Sequence, residues 1–164
     1  MSDLQQDLVK QLRRQHEGEP WHGPSRATVL EGITAEEAAW RPAADAHSIW
    51  DLVLHMRSWT LEVLRRANGG VPGEPEDGDW PAPPRKPTTD EWQNALRSLD
   101  DAHAALSAAV GGMPDDRLAA RVGGTSTPDE SRITVAAMVR SLAEHDIYHT
   151  GQVAMLKRLA RSMR

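Results

Sequence analysis

The segment HDIYHTGQ, residues 145–152, places two imidazoles four positions apart, at His145 and His149. Apolar residues recur around them at helical spacing, so we expect both histidines on one face of a helix. From that spacing two ring nitrogens can converge on a single cation. The pair therefore predicts half of a metal site inside a helical protein.

The same string resembles the H-E-x-x-H motif of zincins, with Asp146 where the catalytic glutamate of those enzymes stands. Zincins usually take a third ligand from downstream. Residues 150–164 contain no His, Asp, Glu or Cys. The remaining ligands are therefore expected upstream.

The upstream candidates are five histidines and one carboxylate: His16, His22, His47, His55, His103 and Glu62. His55 and His103 occupy equivalent places beside the apolar stripes of two predicted helices, and spacing alone leaves both open as ligands. A histidine on such a stripe is also commonly a hydrogen-bonded core residue. Glu62 follows His55 by two helical turns, where it could close a coordination sphere or act as a general base.

Composition limits the classes of function. The 164 residues suit one domain, 1–164. A net charge of −5 argues against a surface built to neutralise phosphates, so we expect no nucleic-acid partner. The charged N-terminal segment and short apolar runs predict a cytoplasmic protein without membrane contact. Because the chain has no cysteine, thiol chemistry would need an external thiol.

Four long segments show helical periodicity, and none shows the period-two alternation of strands. They run over 3–16, from the capping sequence at Ser48 to Asn68, from the capping box at Thr88 to 111–112, and from about Arg132 onward. A shorter stretch resumes near Ser25. Residues 69–87 hold six prolines, which predicts a long irregular connection, and 114–131 form a second predicted loop. We expect an all-α fold, a four-helix bundle with a long crossover connection.

The segment HSIWDLVLHMRSW, 47–59, together with HDIYHTGQ resembles the DinB-like superfamily of damage-inducible, YfiT-like metalloenzymes. The segments WHGPS, 21–25, and AAWRP, 38–42, are similar to parts of its members. The resemblance implies that His55, His145 and His149 bind one divalent metal ion. Nitrogen ligands suit zinc, nickel, copper and iron, so the metal is left open; we expect zinc or nickel first, with iron as a further option.

The resemblance also implies a function. Characterised relatives include transferases and isomerases that use low-molecular-weight thiols, so we expect a thiol-dependent S-transferase acting on a small-molecule substrate. The alternatives are a metal-dependent hydrolase and a non-catalytic metal-binding stress-response protein. The resemblance and the tryptophan content further suggest a homodimer.

Several neighbouring residues carry secondary predictions. Gln152 follows His149 by one turn and could hydrogen-bond its imidazole. Gly151, within a helix, predicts the close approach of a neighbouring element. Trp80, in the proline-rich connection, could line the mouth of the site. The six tryptophans are expected to be core and interface anchors: Trp21, Trp40, Trp50, Trp59, Trp80 and Trp92.

Overall fold

The computed structural model describes residues 1–123 and 133–163. Within those ranges the chain forms seven α-helices, listed here in chain order: α1 Asp3–His16, α2 Arg26–Leu30, α3 Ala35–Ala39, α4 Ile49–Ala67, α5 Thr89–Gly112, α6 Asp115–Ala119 and α7 Val135–Ser162. The only β pairing in the described residues is one isolated bridge between Arg121 and Thr134. The all-α prediction is confirmed.

Local chemistry sets the helix starts. The Ser48 hydroxyl accepts from the backbone N–H of Asp51, and the Asp51 carboxylate accepts from the Ser48 N–H in return, which satisfies two amide groups that the first turn of α4 leaves open. Thr88 caps α5 through the N–H of Glu91. Thr134 caps α7, so this helix begins after the predicted position at Arg132, which lies outside the described residues.

The two predicted loops have different outcomes. Residues 69–87 contain no helix or strand, as predicted. The predicted loop at 114–131 is wrong in its first part, because Asp115–Ala119 form α6 and bury Leu118 against the core. Two acidic residues in the first turn favour this short helix through the helix dipole. Part of the second loop, 124–131, lies outside the described residues.

Helices α1, α4, α5 and α7 form the four-helix bundle: α4 packs against α5 and α7, and α1 packs against the same two helices. One apolar cluster joins the first halves of α4 and α5, and another joins their second halves. These two helices therefore run parallel, while α7 enters the clusters in the opposite order. A connection between parallel neighbours must return along the whole bundle, so residues 69–87 form the predicted long crossover.

A layer of polar side chains separates the two apolar clusters. On α7 it lies between Ala143 in one cluster and Val153 in the other, and on α5 it lies between Leu99 and Leu106. Its buried members are Arg26, His103, Asp146 and His149, and His55 joins them from the edge of one cluster on α4, between Val53 and Met56. Buried polar groups without partners cost about 1 to 3 kcal/mol each, so this layer requires a dense set of internal contacts.

Candidate metal centre

His55, His145 and His149 meet in the polar layer. One ring nitrogen from each lies within 4.8 Å of the others. The Nε2 atoms of His55 and His145 are 2.9 Å apart. His55 and His149 are 5% and 6% exposed, whereas His145 is half-buried. The fold thus brings together the three residues that the resemblance implied.

In each of the three rings, Nδ1 faces an oxygen that can accept a hydrogen bond. Nδ1 of His55 donates to the backbone carbonyl of Asp79 at 2.6 Å. Nδ1 of His149 lies 2.7 Å from Oε1 of Gln152, as predicted for that residue, and Nδ1 of His145 lies 3.4 Å from Oδ1 of Asp146. A neutral imidazole that donates through Nδ1 carries a lone pair on Nε2. In that tautomer His55 and His145 turn the lone pairs of their Nε2 atoms toward each other, and one ring nitrogen of His149 joins them within 4.8 Å.

Converging lone pairs repel unless a cation lies between them, so the donor set fits a metal ion. A tetrahedral zinc ion with Zn–N bonds of about 2.1 Å places its nitrogens about 3.4 Å apart. That separation falls between the 2.9 Å that joins Nε2 of His55 to Nε2 of His145 and the 4.8 Å limit of the cluster. Burial and the neighbouring His145 hold the pKa values of His55 and His149 below the usual value, which favours the neutral, metal-binding form.

The long crossover connection supplies the outer side of the site. The connection, residues 69–87, runs along the whole bundle, so its middle part, residues 78–80, lies beside the polar layer. Here the Gly78 carbonyl accepts from the Ser58 hydroxyl at 2.7 Å, and the Asp79 carboxylate accepts from Trp59 Nε1 at 2.7 Å. Gly78 has a φ of +83°, a conformation that favours glycine. These contacts attach residues 78–80 to α4 beside His55.

Trp80 lies directly on the site. Its indole stacks on the His55 ring with centroids 3.9 Å apart and on the His47 ring with centroids 3.6 Å apart. The side chain is 38% exposed, so one part covers His55 while another reaches solvent. The prediction that Trp80 lines the mouth of the site agrees with this position.

Asp146 links the cluster to a second set of buried groups. Its Oδ2 accepts from Nη1 of Arg26 at 2.6 Å, and both side chains are buried. Nη2 of Arg26 lies 2.9 Å from Nδ1 of His16, whose ring packs 4.3 Å from that of His103. The zincin-like interpretation, with Asp146 in place of the catalytic glutamate, is not supported, since both carboxylate oxygens have structural partners.

The other candidate ligands lie elsewhere. His103 directs Nε2 to the carbonyl of Leu12 at 3.2 Å, and burial lowers its pKa to about 3. Glu62 accepts from Arg65 and Arg66 at 2.7 to 2.8 Å; burial raises its pKa, but these hydrogen bonds outweigh that effect and the pKa lies below its usual value. Neither belongs to the three-histidine cluster.

Two secondary predictions are only partly answered by the structure. Gly151 is exposed, and within residues 1–123 and 133–163 a Cβ atom there would meet nothing within 4 Å, so no described element approaches it. Among the tryptophans, Trp50 and Trp92 are core residues at 1% exposure, as predicted, whereas Trp21 is 94% exposed and does not belong to the core. His22 is exposed too, as expected for a loop histidine.

Sequence reasoning missed two contributors to the site. Asp79 acts through its backbone carbonyl and also through its carboxylate, whose Oδ1 lies 3.3 Å from Nδ1 of His55. It lies in an irregular connection, and the sequence does not show which part of that connection reaches α4. Arg26 lies 120 positions from its partner Asp146. A buried guanidinium is uncommon enough to stand out in a structure, but the sequence around Arg26 offers no comparable sign.

The fold and the site together define a helical bundle with a three-histidine cluster suited to a metal ion. A sequence model of the DinB superfamily matches residues 26–153, and the chain belongs to that superfamily. Neither a curated protein nor a solved structure matches the chain. None of the helices in the described residues combines the length and apolar character needed to cross a bilayer.

Proposed function

We propose that this protein is a metal-dependent enzyme in which His55, His145 and His149 hold one divalent ion, zinc or nickel, and which uses an external low-molecular-weight thiol. The observation that carries the ligand assignment is the convergence of three ring nitrogens whose opposite nitrogens all face acceptors. Acceptors behind metal-bound histidines fix the ring and raise its basicity. The same arrangement is expected to hold the three Nε2 atoms ready for an ion.

The donor count supports catalysis over a purely structural ion. Within the described residues no fourth histidine or carboxylate joins the cluster. Structural zinc sites usually have four protein ligands, whereas catalytic sites have three and keep one position for water or substrate. When bound, the ion would act as a Lewis acid and favour the thiolate form of an external thiol.

The chain's own residues would orient the reaction. The carbonyl of Asp79 and the amide of Gln152 hold two of the imidazoles, and Trp80 covers one face of His55. In the proposed reaction the thiol sulfur forms a bond to an electrophilic carbon, the leaving group departs with its bonding pair, and the thiol proton passes to water. The absence of cysteine means that no protein thiol competes with the external one.

Metal content is the first test. Protein purified without a histidine tag should contain about one divalent ion per chain, and His145→Ala should lose it. His22→Ala is the matched control, because it removes an exposed imidazole outside the cluster. Equal metal content in both variants would contradict the ligand assignment.

The thiol is tested separately with the Co²⁺-substituted protein. Addition of a low-molecular-weight thiol should produce a sulfur-to-cobalt charge-transfer band, and consumption of a model electrophile should depend on that thiol. A metal-loaded protein that shows no band and hydrolyses the electrophile without thiol would refute the transferase assignment while leaving the metal site intact.

A further inference from the structure

The outward side of α7 carries a row of exposed residues at alternating steps of three and four: Ser141, Glu144, Tyr148, Gly151, Met155, Arg158 and Ser162. Such steps keep side chains in line along a helix that packs against another helix. Tyr148 is 64% exposed and Met155 is 65% exposed, although both are large and mainly apolar. The row therefore has an apolar centre with a charge toward each end.

The row is self-complementary about Gly151. Glu144 lies seven residues before Gly151, and Arg158 lies seven residues after it. Tyr148 lies three residues before Gly151, and Met155 lies four residues after it. If a second α7 crossed antiparallel at Gly151, Glu144 of each copy would face Arg158 of the other, and each tyrosine would face a methionine. Sulfur–aromatic and opposite-charge contacts are both favourable.

Within the described residues, no contact explains the two charged residues of the row or its glycine. In the described part of the molecule, no ion pair or hydrogen bond involves the side chain of Glu144 or Arg158. Gly151 weakens the helix relative to alanine and fills no tight space, since a Cβ there would meet nothing within 4 Å. A glycine at a helix crossing lets a second backbone approach closely.

We propose that this face of α7 binds the same face of a second copy, antiparallel, with a two-fold axis at Gly151. A two-fold contact requires one patch to complement itself, and the charge pattern meets that condition at both ends. Tyr148 also packs on the ring of His149, with centroids 5.0 Å apart. The interface therefore adjoins the three-histidine cluster but uses none of its ring nitrogens.

Charge-reversal variants test the proposed pairing of Glu144 with Arg158 of the second copy. The dimer dissociation constant of the whole chain is measured by sedimentation equilibrium. Glu144→Arg and Arg158→Glu each place like charges together at both ends, so each should raise the dimer dissociation constant by about a hundredfold. A mixture of the two variants restores both opposite-charge pairs and should dimerise like the wild type. A monomeric wild type, unaffected single variants, or a mixture that stays monomeric would each overturn the proposal.

Gly151→Leu provides a second test. The open space at this position predicts a folded monomer with the helical circular dichroism spectrum of the wild type, together with loss of the dimer. Gly112→Leu is the matched control: it is another exposed helical glycine whose added Cβ would meet nothing within 4 Å, and its variant should dimerise normally. A Gly151→Leu dimer as stable as that of the control would place the interface elsewhere. The metal content of both variants should equal that of the wild type, which separates this test from that of the metal site.

Discussion

Replacing Asp146 with asparagine should weaken both the fold and the metal site, because the two oxygens of its carboxylate serve different partners. Oδ2 pairs with Arg26 at 2.6 Å, where the two side chains are 3% and 10% exposed. Oδ1 faces Nδ1 of His145 at 3.4 Å. Asparagine keeps the shape of the side chain and removes its charge. The substitution therefore isolates the electrostatic part of both contacts.

The expected magnitudes follow from the burial of each contact. Removing one partner of a buried ion pair leaves the other charge uncompensated, which typically costs about 3 to 5 kcal/mol of unfolding free energy. Loss of a charged acceptor behind a metal-bound histidine typically lowers metal affinity by about 10- to 100-fold. Urea unfolding of the metal-free protein measures the first effect, and competition with a chromophoric zinc chelator measures the second.

Arg26→Met is the matched control. It breaks the same ion pair, so it should destabilise the metal-free protein to a similar extent, but it leaves the carboxylate of Asp146 available to His145. Its zinc affinity should therefore be at least that of the wild type. The reasoning is refuted if Asp146→Asn loses less than about 0.5 kcal/mol of stability, the effect of an ordinary surface change. It is also refuted if both variants bind zinc with equal affinity.

Two further predictions concern His103 and Trp80. His103 is neutral in the folded protein down to a pKa of about 3 but takes up a proton near pH 6.5 when unfolded, so the folded state loses stability as pH falls through that interval. Between pH 6.5 and 4.5 the metal-free wild type should lose about 2 to 3 kcal/mol more than His103→Gln in urea unfolding, and equal losses would contradict this account. Because Trp80 stacks on His55 at 3.9 Å, bound Ni²⁺ should quench its fluorescence. Trp80→Leu should retain metal but lose that part of the quenching, and an unchanged quenching fraction would show that other tryptophans report the ion.

Local patterns predicted the helices well because their causes are local. The Ser48 cap, the prolines of 69–87 and the apolar spacing around His145 and His149 act within a few residues, and the structure has the expected elements there. The α6 helix was missed because it is a five-residue element. So short a helix forms mainly when the core buries one side chain, here Leu118.

The choice between His55 and His103 shows where local reasoning ends. Both lie on buried stripes at similar depth, so spacing gave them equal standing, and only the family resemblance favoured His55. The packing of α4 and α5 sends the first ring to the α7 pair and the second to the carbonyl of Leu12. His55 joins the cluster and His103 does not because of how each helix is rotated and which helix it packs against. Both depend on contacts between distant segments of the chain.

By itself the sequence determined that four helices form, that His145 and His149 share a helical face, and that a long connection follows α4. Tertiary structure alone decided that this connection returns along parallel helices and places the carbonyl of Asp79 behind His55. The tertiary structure also decided that Arg26 forms a buried ion pair with Asp146. The physical reason is the distance along the chain over which each interaction acts. Helix caps and apolar periodicity depend on residues a few positions apart, whereas a buried charge or carbonyl contacts its partner only when distant helices pack together.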